Sequence, residues 1–153
     1  MPAASGLPDT AWVRFLRAHA ALTRELSSRL EAVHELTLSD FDVLVQLYYA
    51  DGRRLRRIDL ARSVLLTASG ITRLLDGLER DGLVAKERCD ADARVTYAVL
   101  TRAGVKKIEE ARESHLADIE ELFGSQFTVQ ERDQLAELLG RLPLAHTAEV
   151  CET

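Results

Sequence analysis

Apolar residues return every three or four positions from Trp12 through Phe15, Leu16, Leu22, Leu26 and Leu30 to Val33, with His19 on the same stripe. That period is the period of a helix face, and it predicts a first helix from about Asp9 to Val33. Ser39 then stands as an N-cap with Asp42 three residues on, and Leu38 and Val43 form a hydrophobic staple across the start. The second helix built on that cap buries Phe41, Leu44, Leu47 and Tyr48 and stops near Asp51 and Gly52. A short third helix, about Arg57 to Val64, turns Ile58, Leu60 and Ala61 inward. A fourth begins at Thr67 as N-cap and runs to Asp81, with Ile71, Leu74, Leu75 and Leu78 inside and Gly82 at the left-handed stop position. The period then changes. Leu83 to Cys89 and Arg94 to Leu100 read as the strands of a hairpin, with Val95, Tyr97 and Val99 alternating, joined by the polar turn Asp90 to Ala93. Thr101 caps a long helix to about Gly124, striped by Val105, Ile108, Ala111, Leu116, Ile119, Leu122 and Phe123. A last helix opens on the capping box of Thr128 and Glu131, uses Leu135, Leu138, Leu139 and Leu142, and ends at Pro143.

This order predicts a mainly α fold with a small β-hairpin wing. A winged helix-turn-helix lobe at 39–100 sits between helical segments at 1–38 and 101–153 that form a dimerisation region, the whole making one intertwined domain. The flanking stripes exceed what so small a centre can cover, so they are expected to pack against a second copy in a two-fold homodimer.

Composition narrows the class. Of 153 residues 46% are hydrophobic and 29% charged, the balance of a globular chain. No apolar run nears the roughly 20 residues of a membrane helix, and Met1 to Asp9 lacks the basic flank and apolar core of a signal peptide. Cys89 and Cys151 lack the number and spacing of a disulfide framework or a metal site, which fits free thiols in a cytoplasm.

Charge changes the picture further. The net charge is −5, yet Arg53 to Lys107 holds 13 Lys and Arg against 7 Asp and Glu. A basic middle on an acidic scaffold points to a localised anion-binding surface. On the helix from Thr67, the face opposite the apolar stripe presents Ala68, Ser69, Thr72, Arg73 and Asp76. Small side chains permit close approach in a major groove, hydroxyls reach phosphates or bases, and Arg73 can donate twice to a guanine edge. Arg94, beside Asp92 at the hairpin turn, suits a narrow minor groove, where negative potential is enhanced. Arg53, Arg54, Arg56 and Arg57 suit phosphate contact, which gives affinity without sequence information.

The run from Ile58 to Gly104 contains SGITRLLDGLERDGLV, then Asp92-Ala93-Arg94, then LTRAG from Leu100. With these pieces at these distances the sequence resembles the MarR family of bacterial transcriptional regulators, over nearly its whole length. The resemblance implies a homodimer whose first, fifth and sixth helices interlock. It places Ser69, Thr72 and Arg73 on the recognition helix and Arg94 on the wing, with Asp92 as its support; the reading of the residues themselves adds Thr67, Arg56 and Arg57 to the same double-stranded DNA interface. It implies a repressor on a pseudo-palindromic operator, released by a small molecule. Ala93 departs from the pattern, because the wing often has a second basic residue there. Trp12, His19, His34 and Tyr48 are the candidate lining of an effector pocket where the dimer helices meet the lobe.

Two other readings stay open. Cys89 next to Arg88 could sense oxidants, although peroxide sensors of this family usually place that cysteine near the first helix. The other is a winged helix that serves protein contact alone, without DNA binding. Catalysis is not expected: His19, His34, His115 and His146 fall in no motif, and neither a phosphate loop nor a metal cluster is present in the sequence. No cofactor is implied.

Overall fold

The computed structural model describes residues 10–64 and 68–143. The chain opens with α1 (Ala11–His34) and α2 (Leu38–Tyr49), followed by β1 (Arg54–Arg56), α3 (Arg57–Ser63) and α4 (Ala68–Arg80). β2 (Val84–Arg88), β3 (Thr96–Leu100), α5 (Arg102–Leu122) and α6 (Val129–Leu139) complete it. The mainly α fold with a two-stranded wing is as expected from the sequence.

α2 starts two residues earlier than the Ser39 reading. Thr37 is the N-cap: its hydroxyl accepts from the Asp40 N–H while Asp40 accepts from the Thr37 N–H. Thr37 and Ser39 each have an aspartate three residues on, so local sequence offers two caps. Burial decides between them. With Thr37 as cap, the staple pair is Leu36 and Phe41, both buried, whereas Leu38 is only half-buried.

The core gathers Leu30, Leu36, Phe41, Val43, Leu44, Leu47, Leu60, Ile71, Leu75 and Leu78 with Ala98, Leu100 and Ile108. Each fully buried leucine contributes about 1.5–3 kcal/mol over an exposed one. Some expected core positions lie elsewhere. Ile58 is 58% exposed and Leu116 52%, because Leu60 and His115 take the inward positions of their helices. Tyr48 is half-buried, since its hydroxyl reaches out to Glu109 at 3.0 Å.

The sheet has one strand more than the hairpin predicts. Its order is β1-β3-β2, antiparallel throughout. Arg54 pairs with Val99 and Leu55 with Ala98; Val84 pairs with Leu100 and Lys86 with Ala98. This register sets the inner face of β3. Ala98 and Leu100 face the helices and are buried, while Val95, Tyr97 and Val99 are half-buried. On the outer face the Arg54 guanidinium of β1 lies 4.2 Å over the Tyr97 ring.

The lobe is joined to α5 by close backbone contact. Gly82 follows α4 with φ +74°, the left-handed stop expected of it. Thr101 then does two things. Its hydroxyl accepts from the Gly104 N–H, capping α5, and donates to the Gly82 carbonyl at 2.7 Å. Thr101 N–H also donates to Leu83 O. A Cβ on Gly104 would lie 2.1 Å from that same Leu83 oxygen, so only glycine fits there.

The outer helices are less satisfied. Along α1 only Leu30 is buried, and Trp12, Phe15 and Leu16 are exposed. α6 buries nothing, and Leu138 is 53% exposed. What holds α1 to α5 is partly ionic: Arg29 bonds Asp118 at 2.8 Å and Glu121 at 3.1 Å.

Candidate nucleic-acid interface

The run of arginines around β1 splits into two groups. Arg53 lies over the Tyr48 ring at 5.2 Å, and Arg54 over Tyr97 and 3.6 Å from Glu87. Both are turned to outer-surface partners. Arg56 and Arg57 instead border a cleft of about 450 Å³ with Ile58, Thr72, Arg94 and Thr96. That cleft brings together α3, α4 and the root of the wing, the three elements that sequence placed at one surface.

Within it, Arg57 donates to the Thr72 hydroxyl, tying α3 to α4. Its Nε is buried and has no hydrogen-bond partner among the described residues. Arg56 Nε sits 2.7 Å from Asp59, three residues on, and that carboxylate raises the guanidinium pKa. Ser69 and Arg73 are exposed on the outer face of α4, and Asp76 on the same helix is held by Lys86 from β2. Thr67 lies outside the described residues.

At the wing tip, Asp92 accepts from both the Arg94 N–H at 3.0 Å and its Nε at 3.2 Å. The aspartate thereby fixes the first torsions of a side chain that is itself 92% exposed. A guanidinium held at its root and free at its tip is suited to entering a groove lined by phosphate. Cys89 is half-buried, its N–H bonded to Val95 O at the base of this turn.

Of the four candidate effector residues, Trp12 and His19 lie far along α1 from His34 within one chain. The rings of Trp12, Phe15 and His19 follow one another at 6.5 and 6.4 Å along exposed α1. His34 bonds Ser114 at 2.6 Å, and Tyr48 bonds Glu109. A helix rises about 1.5 Å per residue, so Trp12 and His34 stand about 33 Å apart.

Sequence reading missed Lys86, whose signal lay in strand parity: it shares a face with Val84. No helix among the described residues is long and apolar enough to cross a membrane.

A short helix and a following helix that shares a cationic cleft with a β-hairpin define a winged helix-turn-helix protein. The MarR family model matches residues 36–96, from the start of the second helix into β3. Over those residues the chain is similar to that family of transcriptional regulators. It is 28% identical to the transcriptional regulator MhqR of Bacillus subtilis, over 84% of this chain and 86% of that protein. It is 32% identical to the transcriptional repressor YetL of the same organism, over 70% of this chain and 64% of that protein. Among solved structures, Sco3205, a MarR family regulator of Streptomyces coelicolor in complex with DNA, superposes with a TM-score of 0.81 at 25% identity, covering 84% of this chain and 81% of that one.

Proposed function

We propose that this protein is a homodimeric repressor that reads a pseudo-palindromic operator and is released by a small molecule. The observation that carries the reading is the cleft in which Arg56, Arg57, Thr72 and Arg94 converge from the end of β1, α3, α4 and the wing. In this reading α4 enters the major groove with Ser69, Thr72 and Arg73 toward base edges, Thr67 at its start. Arg56 and Arg57 hold phosphates, and Arg94, braced by Asp92, enters the adjacent minor groove. Two such lobes read half-sites about 10 bp apart, centre to centre.

The division of labour is between the surface that reads and the helices that pair, although Leu30, Leu36 and Ile108 from the flanks share the core of the lobe. Residues 39–100 form the reading lobe, and 1–38 with 101–153 form the dimer. The exposed apolar side chains of α1 and α6 support that assignment, because Trp12, Phe15, Leu16 and Leu138 need cover. Repression is supported by the likeness to YetL. Effector release is assigned to the junction of α1, α2 and α5, where His34 and Tyr48 lie; Trp12 and His19 would reach such a pocket only from a second copy.

The test is selection of duplexes from a random-sequence library by the full chain, with Arg94→Ala in parallel. The expected result is an enriched inverted repeat, bound roughly tenfold or more weakly by the variant, with a salt slope smaller by about 2 for a dimer. No enrichment at low salt by a folded protein would remove the reading.

A further inference from the structure

Lys86, on the first strand of the wing, has no role in the reading above. Pairing with β3 fixes its direction: Val84 lies opposite Leu100 and Lys86 opposite Ala98, and Val84, Leu100 and Ala98 are all buried. Lys86 therefore leaves β2 on the side of the helices, two residues beyond the point where the strand is buried. Its ammonium lies 2.6 Å from Asp76 Oδ1 and 2.9 Å from Glu79 Oε2. Both acids belong to α4, three positions apart and so on one face of it. The pairing is felt on both sides: the hydrogen bond from Lys86 holds the Asp76 carboxyl below its usual range, and Asp76, then Glu79, raise the ammonium.

We propose that Lys86 is a positioning residue for DNA reading: by gripping Asp76 and Glu79 it sets the angle between α4 and the wing, and so the place of Arg94 relative to the recognition helix. The proposal rests on the DNA-binding reading. Leverage is what makes one contact matter. From Lys86 to the turn at Ala91 a strand rising about 3.3 Å per residue travels about 16 Å, so a tilt of about 10° at Lys86 moves the tip by about 3 Å. The minor groove is only about 6 Å wide. A shift of half its width takes a guanidinium out of it, and the 92% exposed Arg94 side chain is braced at the tip by Asp92 alone among the ion pairs described. Lys86 also neutralises one of two carboxylates that would otherwise stand on the recognition helix near phosphate.

A double-mutant cycle separates positioning from direct contact with DNA. Kd is measured for the full chain on a duplex selected by the wild-type protein, for Lys86→Met, Arg94→Ala, their combination, and Lys86→Arg. Lys86→Met is expected to weaken binding about fivefold, and Lys86→Arg to restore it. In the Arg94→Ala background Lys86→Met should cost nothing further, because the group it positions is gone. If Lys86→Met itself unfolds, Asp76→Asn/Glu79→Gln removes the acceptors instead and should show the same coupling to Arg94. Additive losses would overturn the proposal, since Lys86 would then act on DNA through its own charge. So would a Lys86→Met variant that binds like wild type. An Arg94→Ala variant as tight as wild type would remove the wing reading itself, and this proposal with it.

Discussion

Helices α2 and α6 begin with the same device and are nearly the same length, 12 and 11 residues. Each has a threonine N-cap and an acid at the third position that bonds back to it: Thr37 with Asp40, Thr128 with Glu131. Yet α2 buries Phe41, Val43, Leu44 and Leu47, and α6 buries nothing. Caps fix where a helix starts; they do not decide whether it has a core to belong to. A helix of three turns is marginal alone, and its stability comes from what its apolar face meets. The lobe around α2 finds that partner inside the chain. α6 and the first half of α1 present theirs outward.

The strongest effect on stability lies inside the lobe. Leu47→Ala removes a side chain with no exposure at the centre of the lobe, and should cost about 2–5 kcal/mol in denaturant-induced unfolding. Leu138→Ala should cost far less in a dilute, monomeric sample. If α6 covers a second copy, its effect appears as weaker self-association by light scattering. Equal losses from the two would mean that α6 has a partner within the chain.

Gly104→Ala comes next. Its new methyl meets the Leu83 carbonyl and Leu100 Cδ1, and an overpacked site of this kind costs about 1–3 kcal/mol. Thermal unfolding should show the loss, and a wild-type melting temperature would mean that α5 slides freely on the lobe. The caps sharpen the contrast at a smaller scale. Thr37→Ala should cost about 1 kcal/mol, whereas Thr128→Ala should change unfolding only under conditions in which α6 is covered.

The last effect appears only on acidification. His115 on α5 is buried against the Phe41 ring at 4.4 Å, and its Nδ1 has no partner among the described residues. Burial lowers its pKa from 6.5, opposed by Asp118. The unfolded chain then takes the proton more readily than the folded one, so the stability due to neutral His115 is present above about pH 6.5 and lost as pH falls through the lower folded value. His115→Gln should flatten the stability profile between pH 7 and pH 5. An unchanged slope would place the acid sensitivity elsewhere.

Much of the helical frame was legible in sequence because its signals are local and agree with one another. The Thr128–Glu131 box, the Thr101 cap and the Gly82 stop each need only a few neighbouring residues, and each is where sequence puts it. The readings that failed depend on distant partners. Ser39 and Thr37 are equal as caps until Leu36 and Phe41 are seen together in the core. Arg54-Leu55-Arg56 has no strand pattern of its own and becomes one by pairing with β3. For the interface, residue types and their neighbourhood were legible: Arg56, Arg57, Thr72 and Arg94 do border one cleft. The split of the arginine run and the role of Lys86 were not, because both depend on which side of the sheet a side chain leaves.

The bond from Thr101 to Gly82 has a consequence for anyone who would transplant the reading head. Cutting the chain at the end of β3 looks natural, since residue 100 closes the sheet. That cut would leave the Gly82 carbonyl without its donor and strip the first turn of α5 from the backbone of Leu83. A graft that keeps its own hinge must extend past Gly104, carrying one turn of foreign helix into the new scaffold. The modular unit of this architecture is thus longer than its sheet, and the splice point belongs inside a helix.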